Sequence, residues 1–472
     1  MKQAYVSFRK AYVPFCEGPF YMLLIGALIL FGHLLAIEFW LNIVHILLLC
    51  LSLCLSDSIK PLAISNLTFV FQVTLVHSPS APYFSTYYFE GAHLWIVIAL
   101  VAVLVASLAY YLIRTGFFSH IRFGKTPLLL PLLVLSAVFL TNGLFSETYI
   151  LENLLLGFVQ VVVYLVDFLV LWDGLSRESV EDIMTFTVEL SILVSWILVV
   201  ELLNVYVVSI APGWVDWLSK GEILFGWGVS NTCACLLSIQ VPLLFYGIYR
   251  GTHVIPASLT VVAVLVAIVC TLSRSALLFT SIVLVVCLLY ACCFSKHRKS
   301  FIFTSLGMIA LVGVLCLIFR DRVRSILNYF SFVGFDDSGR FRVWRLSLEH
   351  ALLNPVFGVG FYGETILGSI NTGQSYTTFY PEFRHNTLIE MLASCGIVGL
   401  VGYLYMRVCS LTIFFKRLSV EKIFLGLSIF TFLLECMLDI FTFSIYPVFF
   451  YNFALAAAFA IDDKQRDRLP AA

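Results

Sequence analysis

The sequence predicts an all-α polytopic membrane protein with about 12–14 transmembrane helices and one large loop outside the membrane. Composition is the first reason. Of 472 side chains, 61% are hydrophobic and 12% charged, whereas a soluble chain is about half apolar and about a quarter charged. Mean hydropathy is +0.99, so the chain cannot cover a water-facing surface. The second reason is the recurrence of apolar runs near the roughly 20 residues of helix that cross about 30 Å of hydrocarbon. Disordered, collagen-like and disulfide-scaffold classes are excluded by the same composition. A nucleic-acid-binding protein is excluded too, because 28 Lys and Arg face 28 Asp and Glu and leave no basic excess.

In chain order the apolar runs are about 19–37, 40–55, 62–77, 93–113, 127–143, 149–171, 185–208, 222–248, 254–272, 276–294, 301–319, 386–413, 422–438 and 441–461. The second, third and thirteenth are short, so the count lies between twelve and fourteen. An even number puts both termini on one side. With the N-terminus inside, eighteen Lys and Arg fall on the cytoplasmic side and nine outside, Arg407 lying within a helix. That bias orients the chain with both termini cytoplasmic. The first run lacks a small-x-small cleavage site and reads as one span among many, not as a cleaved signal. Thirteen cysteines lie almost entirely within apolar runs and lack zinc-ligand spacing, so they read as small packing residues. No internal repeat links the halves, which disfavours transporters built on inverted repeats.

These runs divide the chain into 1–319 with spans one to eleven, an extracytoplasmic loop at 320–384, and 385–472 with spans twelve to fourteen and a short cytoplasmic tail. The loop is longer than structureless connectors usually are, which argues for function. Seven of the nine outer basic residues sit in it, and an eighth, Arg274, stands at the tip between spans nine and ten. All eight are arginine, which grips oxyanions through a bidentate fork and keeps its charge in a low dielectric. They could equally pair with the loop's own acids. Arg274 interrupts an apolar stretch from 254 to 294, where a charge is costly unless it meets water or a partner. Ser273 could cap the helix that follows, adding positive potential beside the arginine.

Within the loop, residues 338–354 read as an amphipathic helix. Asp337 or Ser338 would cap it and Asn354-Pro355 would stop it. Phe341, Trp344, Leu348, Ala351 and Leu352 make an apolar stripe, and Arg342, Arg345 and Glu349 share another face. Gly358, Gly360 and Gly363 follow as a turn permitting close backbone approach. The loop ends at Arg384-His385-Asn386. Asn386, Glu390 and Ser394 then follow at steps of four, so one face of the twelfth span is polar. Gly396, Gly399 and Gly402 repeat every three residues and allow tight packing. Asn231 and Ser230, at the outer part of the eighth span, could line the same cavity or form a helix–helix hydrogen bond.

These residues resemble the O-antigen ligase and O-antigen polymerase (Wzy-type) superfamily of bacterial envelope polysaccharide assembly. Arg274 followed after three residues by Leu278 matches one family pattern. His385-Asn386, nine residues, Gly396, two residues and Gly399 match a second and more specific one. The Ser338, Gly339, Arg340, Trp344, Asn354, Pro355, Gly358 and Gly360 run also looks like the family's loop. The resemblance covers about 220–410.

It implies a GT-C-like membrane glycosyltransferase of the bacterial cytoplasmic (inner) membrane, acting on the outer face without cofactor. The implied donor is a glycan on undecaprenyl pyrophosphate, and the acceptor a glycan or a second lipid-linked chain, with a chain-length regulator as a further partner. Such a reaction needs fixed positive charge for the departing pyrophosphate, expected from Arg274 with Arg340, Arg342 and Arg345. It also needs a group to take the acceptor proton, expected to be His385. Arg384, Asn386, Glu390 and Asn231 are expected to bind substrate. The outer loops show no carboxylate cluster with metal-ligand spacing, so a metal-independent reaction is expected. Fourteen spans favour a polymerase over a ligase, since the ligases resemble a twelve-span layout. From another class, a lipid-linked oligosaccharide flippase would require charges along several helices. The acids within spans are instead scattered, and the arginines concentrate at one face.

Overall fold

The computed structural model describes residues 2–35, 37–73, 91–210, 220, 223–225, 227–294, 320–333, 339–372 and 385–467, with scattered positions between 302 and 318. The chain is an all-α polytopic membrane protein. Its helices are α1 (Lys2–Cys16), α2 (Pro19–Leu35), α3 (Glu38–Leu55), α4 (Lys60–Val73), α5 (Gly91–Arg114), α6 (Phe117–His120), α7 (Leu129–Leu140), α8 (Leu151–Leu175) and α9 (Val180–Ile210). A hairpin of two-residue strands, β1 (Leu224–Phe225) and β2 (Gly228–Val229), leads into α10 (Ser230–Arg250). Then come α11 (Val254–Cys270), α12 (Arg274–Phe294), α13 (Arg320–Val333), α14 (Arg340–Ala351), α15 (Gly363–Thr372), α16 (Thr387–Leu411), α17 (Val420–Cys436) and α18 (Ile445–Asp467).

Among the described residues, eight helices are long and apolar enough to cross a membrane, or nine if α1 and α2, bent by 71°, form one broken span. Every apolar run of the sequence coincides with a helix except 301–319, which lies partly outside the described residues. The remaining runs are short as helices: α7 has 12 residues, α4 has 14, and α2, α11 and α17 have 17 each. The run at 40–55, short in the sequence, becomes an 18-residue helix because Glu38 and Phe39 join it. Conversely, α7 starts late because Leu128 before it adopts φ 56°.

The chain forms two compact units, Met1–His120 with Gly174–Asn328, and Ile121–Asp173 with Tyr329–Ala472. In the first, α10 packs against α9, α11 and α12. Its most apolar stretch is 94% buried, as expected of a helix with small and apolar residues on every side. In the second, α16 packs against α7 and α14, and α17 against α18. Residues Val162–Asp167 of α8 wind as a π-helix, a departure that often marks a functional site.

The second unit is organised by a break in α16. Gly396 adopts φ 67°, ψ −166°, a region essentially restricted to glycine, and its neighbours lose their helical hydrogen bonds. Loop residues replace them. Val359 N donates to Ala393 O (2.8 Å), Gly360 N to Ser394 O (3.0 Å) and Ile397 N to Pro355 O (2.9 Å). From the α7–α8 connection and the first turn of α8, Asn142 Oδ1 accepts from Phe361 N (3.0 Å), Asn153 Oδ1 from Tyr362 N (2.9 Å), and Thr148 Oγ1 donates to Val359 O (2.6 Å). Irregular backbone is tolerated at membrane depth only where protein satisfies it, and these bonds do so for 355–362.

Candidate active site

His385 stands at the mouth of α16 with φ 48°, a left-handed conformation that histidine tolerates better than most residues. Asn386 returns to an extended conformation as the N-cap, its Oδ1 accepting from Leu388 N (3.0 Å) and Ile389 N (3.1 Å). Its Nδ2 donates to Met437 O (2.9 Å), so the residue expected to bind substrate uses its side chain to start the helix. The imidazole meets a carboxylate: His385 Nδ1 lies 3.2 Å from Asp439 Oδ1. Asp439 is nearly buried, whereas 48% of the His385 side chain is exposed. The same Oδ1 accepts from Ile440 N at 3.0 Å, which holds the carboxylate in place. A carboxylate on Nδ1 selects the tautomer whose Nε2 is an available base.

Glu390 and Ser394 line the next two turns of α16, both fully buried, and Ser394 donates to Glu390. The polar face read from the sequence therefore turns into the unit. Helix α14, which packs against α16, carries Arg340, Arg342 and Arg345. Arg342 and Arg345 are exposed, Arg340 is half-buried, and Arg345 lies 3.6 Å from Glu349 one turn on. The side of α14 turned into the protein carries Ser347, His350 and Ala351, and His350 Nδ1 sits 2.9 Å from buried Glu364 Oε2. Of the apolar stripe, only Ala351 is buried, while Phe341, Leu348 and Leu352 are exposed. Asp337, Ser338 and Arg384 lie outside the described residues. Gly339 takes the N-cap position at φ 75° without a side-chain cap.

In the first unit, Arg274 opens α12 after Leu272, another left-handed residue at φ 56°. Ser273 Oγ donates to Asn231 Oδ1 at 3.0 Å. This hydroxyl was expected to cap α12. Its bond to Asn231 joins the starts of α10 and α12, as in the helix–helix reading of Asn231.

Residues 259–404 match the O-antigen ligase family. The matched region contains Arg274, Arg340, Arg342, Arg345, Arg384, His385, Asn386 and Glu390, and the resemblance read from the sequence is borne out. A 115-residue stretch is also 29% identical to the exopolysaccharide production protein ExoQ of Rhizobium meliloti (strain 1021), covering 23% of this chain and 25% of ExoQ. The match thus spans about a quarter of that curated relative. Asn231 and Asp439 lie outside the region matched to the O-antigen ligase family. Sequence reasoning missed Asp439, although a signal was available. Residues 439–440 are the whole gap between the last two apolar runs, on the side expected for His385.

Proposed function

We propose that this O-antigen ligase-type protein is a membrane glycosyltransferase that polymerises undecaprenyl-pyrophosphate-linked oligosaccharide repeats on the outer face of the bacterial cytoplasmic membrane. The observation that carries this reading is the His385–Asp439 pair at the mouth of α16, within a unit that also exposes Arg342 and Arg345. An acceptor hydroxyl gives its proton to His385 Nε2 as its oxygen attacks the donor's anomeric carbon. The bond from that carbon to the pyrophosphate oxygen breaks, and undecaprenyl pyrophosphate leaves with the electron pair. Positive charge fixed before the reaction stabilises the leaving group more than water would. Arg340, Arg342 and Arg345 are assigned that task on the loop helix, and Arg274 by its match to the family pattern. The pyrophosphate bond is the energy source, so no nucleotide is needed. The positive-inside bias supports cytoplasmic termini, and the similarity to an exopolysaccharide production protein supports chain extension.

The family's description favours a second reading, ligation of the lipid-linked glycan to a lipid A-core or other acceptor. Transfer by purified protein with a defined undecaprenyl-pyrophosphate oligosaccharide separates the two. Extension of that substrate alone is expected, and a strict need for a different acceptor would replace polymerase by ligase. Full activity in both His385→Ala and Arg274→Ala would overturn the glycosyl-transfer mechanism itself.

A further inference from the structure

The proposed base and a buried arginine are linked through the short turn that follows Asp439. Asp439 is followed at once by the turn Phe441–Phe443, and α8 holds that turn by its carbonyls. Tyr164 Oη donates to Thr442 O at 2.8 Å, and Gln160 Nε2 to Phe443 O at 3.1 Å. Tyr164 lies inside the π-helical segment of α8 and Gln160 just before it. The turn is also tied to α16, since Thr442 Oγ1 lies 3.2 Å from Thr387 Oγ1 and 3.3 Å from Tyr403 Oη. Thr387 Oγ1 in turn lies 3.4 Å from Asp439 O.

Behind Tyr164 stands Arg407. Its Nη2 donates to Tyr164 Oη at 3.3 Å, and its guanidinium lies 4.3 Å from the ring centre of Tyr451, 4.7 Å from Tyr403, 5.7 Å from Phe432 and 5.8 Å from Tyr164. Arg407 is 5% exposed, and its Nε and Nη1 have no acceptor among the described residues. A cation buried in a membrane protein is costly to keep, and the aromatic faces around Arg407 offset part of that cost. The direction of the hydrogen bonds supplies its use. The Tyr164 oxygen accepts from a permanent cation, so its own proton is left for Thr442 O, and the charge strengthens that bond.

We infer that Tyr164 and Arg407 are positioning residues for the His385–Asp439 pair, acting through the turn Phe441–Phe443. This rests on His385 being the base. The test uses the full chain in lipid nanodiscs, with the undecaprenyl-pyrophosphate oligosaccharide as substrate. Tyr164→Phe keeps the ring over Arg407 and removes only the hydroxyl. It is expected to lower kcat about tenfold and to leave the donor KM within about twofold, since it touches no pyrophosphate-binding group. In an Asp439→Asn background the same substitution should cost less than about twofold, because the group it positions is gone. Arg407→Lys, which retains the charge but loses the planar fork, should behave alike and serves if Tyr164→Phe does not fold. Wild-type kcat in both variants, or equal losses with and without Asp439, would overturn the inference. Full activity of His385→Ala would instead strike the reading of the base, so the two failures are distinguishable.

Discussion

At the scale of the residue, His385 draws its chemical identity from a partner 54 positions away. An isolated histidine at a helix mouth has two equivalent roles for its nitrogens, and Asp439 removes the ambiguity by taking Nδ1. Asp439→Asn should therefore lower kcat by about tenfold to a hundredfold while leaving the donor KM nearly unchanged, in steady-state transfer assays. His385→Ala should cost more, on the order of a thousandfold. Equal KM increases in both would mean that the pair binds substrate and does not move a proton. Asn386 belongs to a different argument. Because its side chain caps α16 and reaches Met437 O, Asn386→Ala should destabilise the protein by about 1 kcal/mol, seen as a lower Tm in detergent. A variant with an unchanged Tm and a weakened donor affinity would support the substrate-binding role expected for it.

At the scale of the element, two glycines of the family-like motifs, Gly396 and Gly358, have a mechanical meaning. A Cβ on Gly396 would lie 2.2 Å from Val356 O, and one on Gly358 2.3 Å from the Ser394 carbonyl carbon, both at positive φ. Backbone meets backbone in both places, so no side chain can move aside. Gly396→Ala and Gly358→Ala should each cost more than about 1–3 kcal/mol, read as lost folded yield or a large fall in Tm. Wild-type thermal unfolding would mean that the loop does not insert at the break in α16. Helix α14 should respond in the opposite way. Arg342 and Arg345 are exposed and support no packing, so Arg342→Gln with Arg345→Gln should leave Tm unaltered and raise the donor KM several-fold or more. Lysines at both positions should recover part of the loss, since they keep charge without the bidentate fork. An unchanged KM in the glutamine pair would remove α14 from pyrophosphate binding.

At the scale of the whole molecule, the sorted charges predict topology. Alkaline phosphatase fused after residue 353 should be active, and fused after residue 467 inactive, because that reporter folds only outside the cytoplasm. The reverse pattern would invert the orientation and with it the side of the reaction. The composition and the spacing of apolar runs were enough to determine a helical membrane protein, and His385-Asn386 with Gly396 and Gly399 were enough to point to the family that residues 259–404 match. Those are local or averaged properties, and helix formation in an apolar run needs no knowledge of its neighbours. Three things escaped such reading. The partner of His385 comes from the gap between the last two helices, Asn386 and Ser273 make local hydrogen bonds, and most of the apolar stripe of α14 stays exposed while Ser347, His350 and Ala351 turn inward. Each is settled by which partners the folded chain brings within hydrogen-bonding or packing distance. Such pairings join residues far apart in the chain, and only the folded packing of the second unit brings Asp439 to His385.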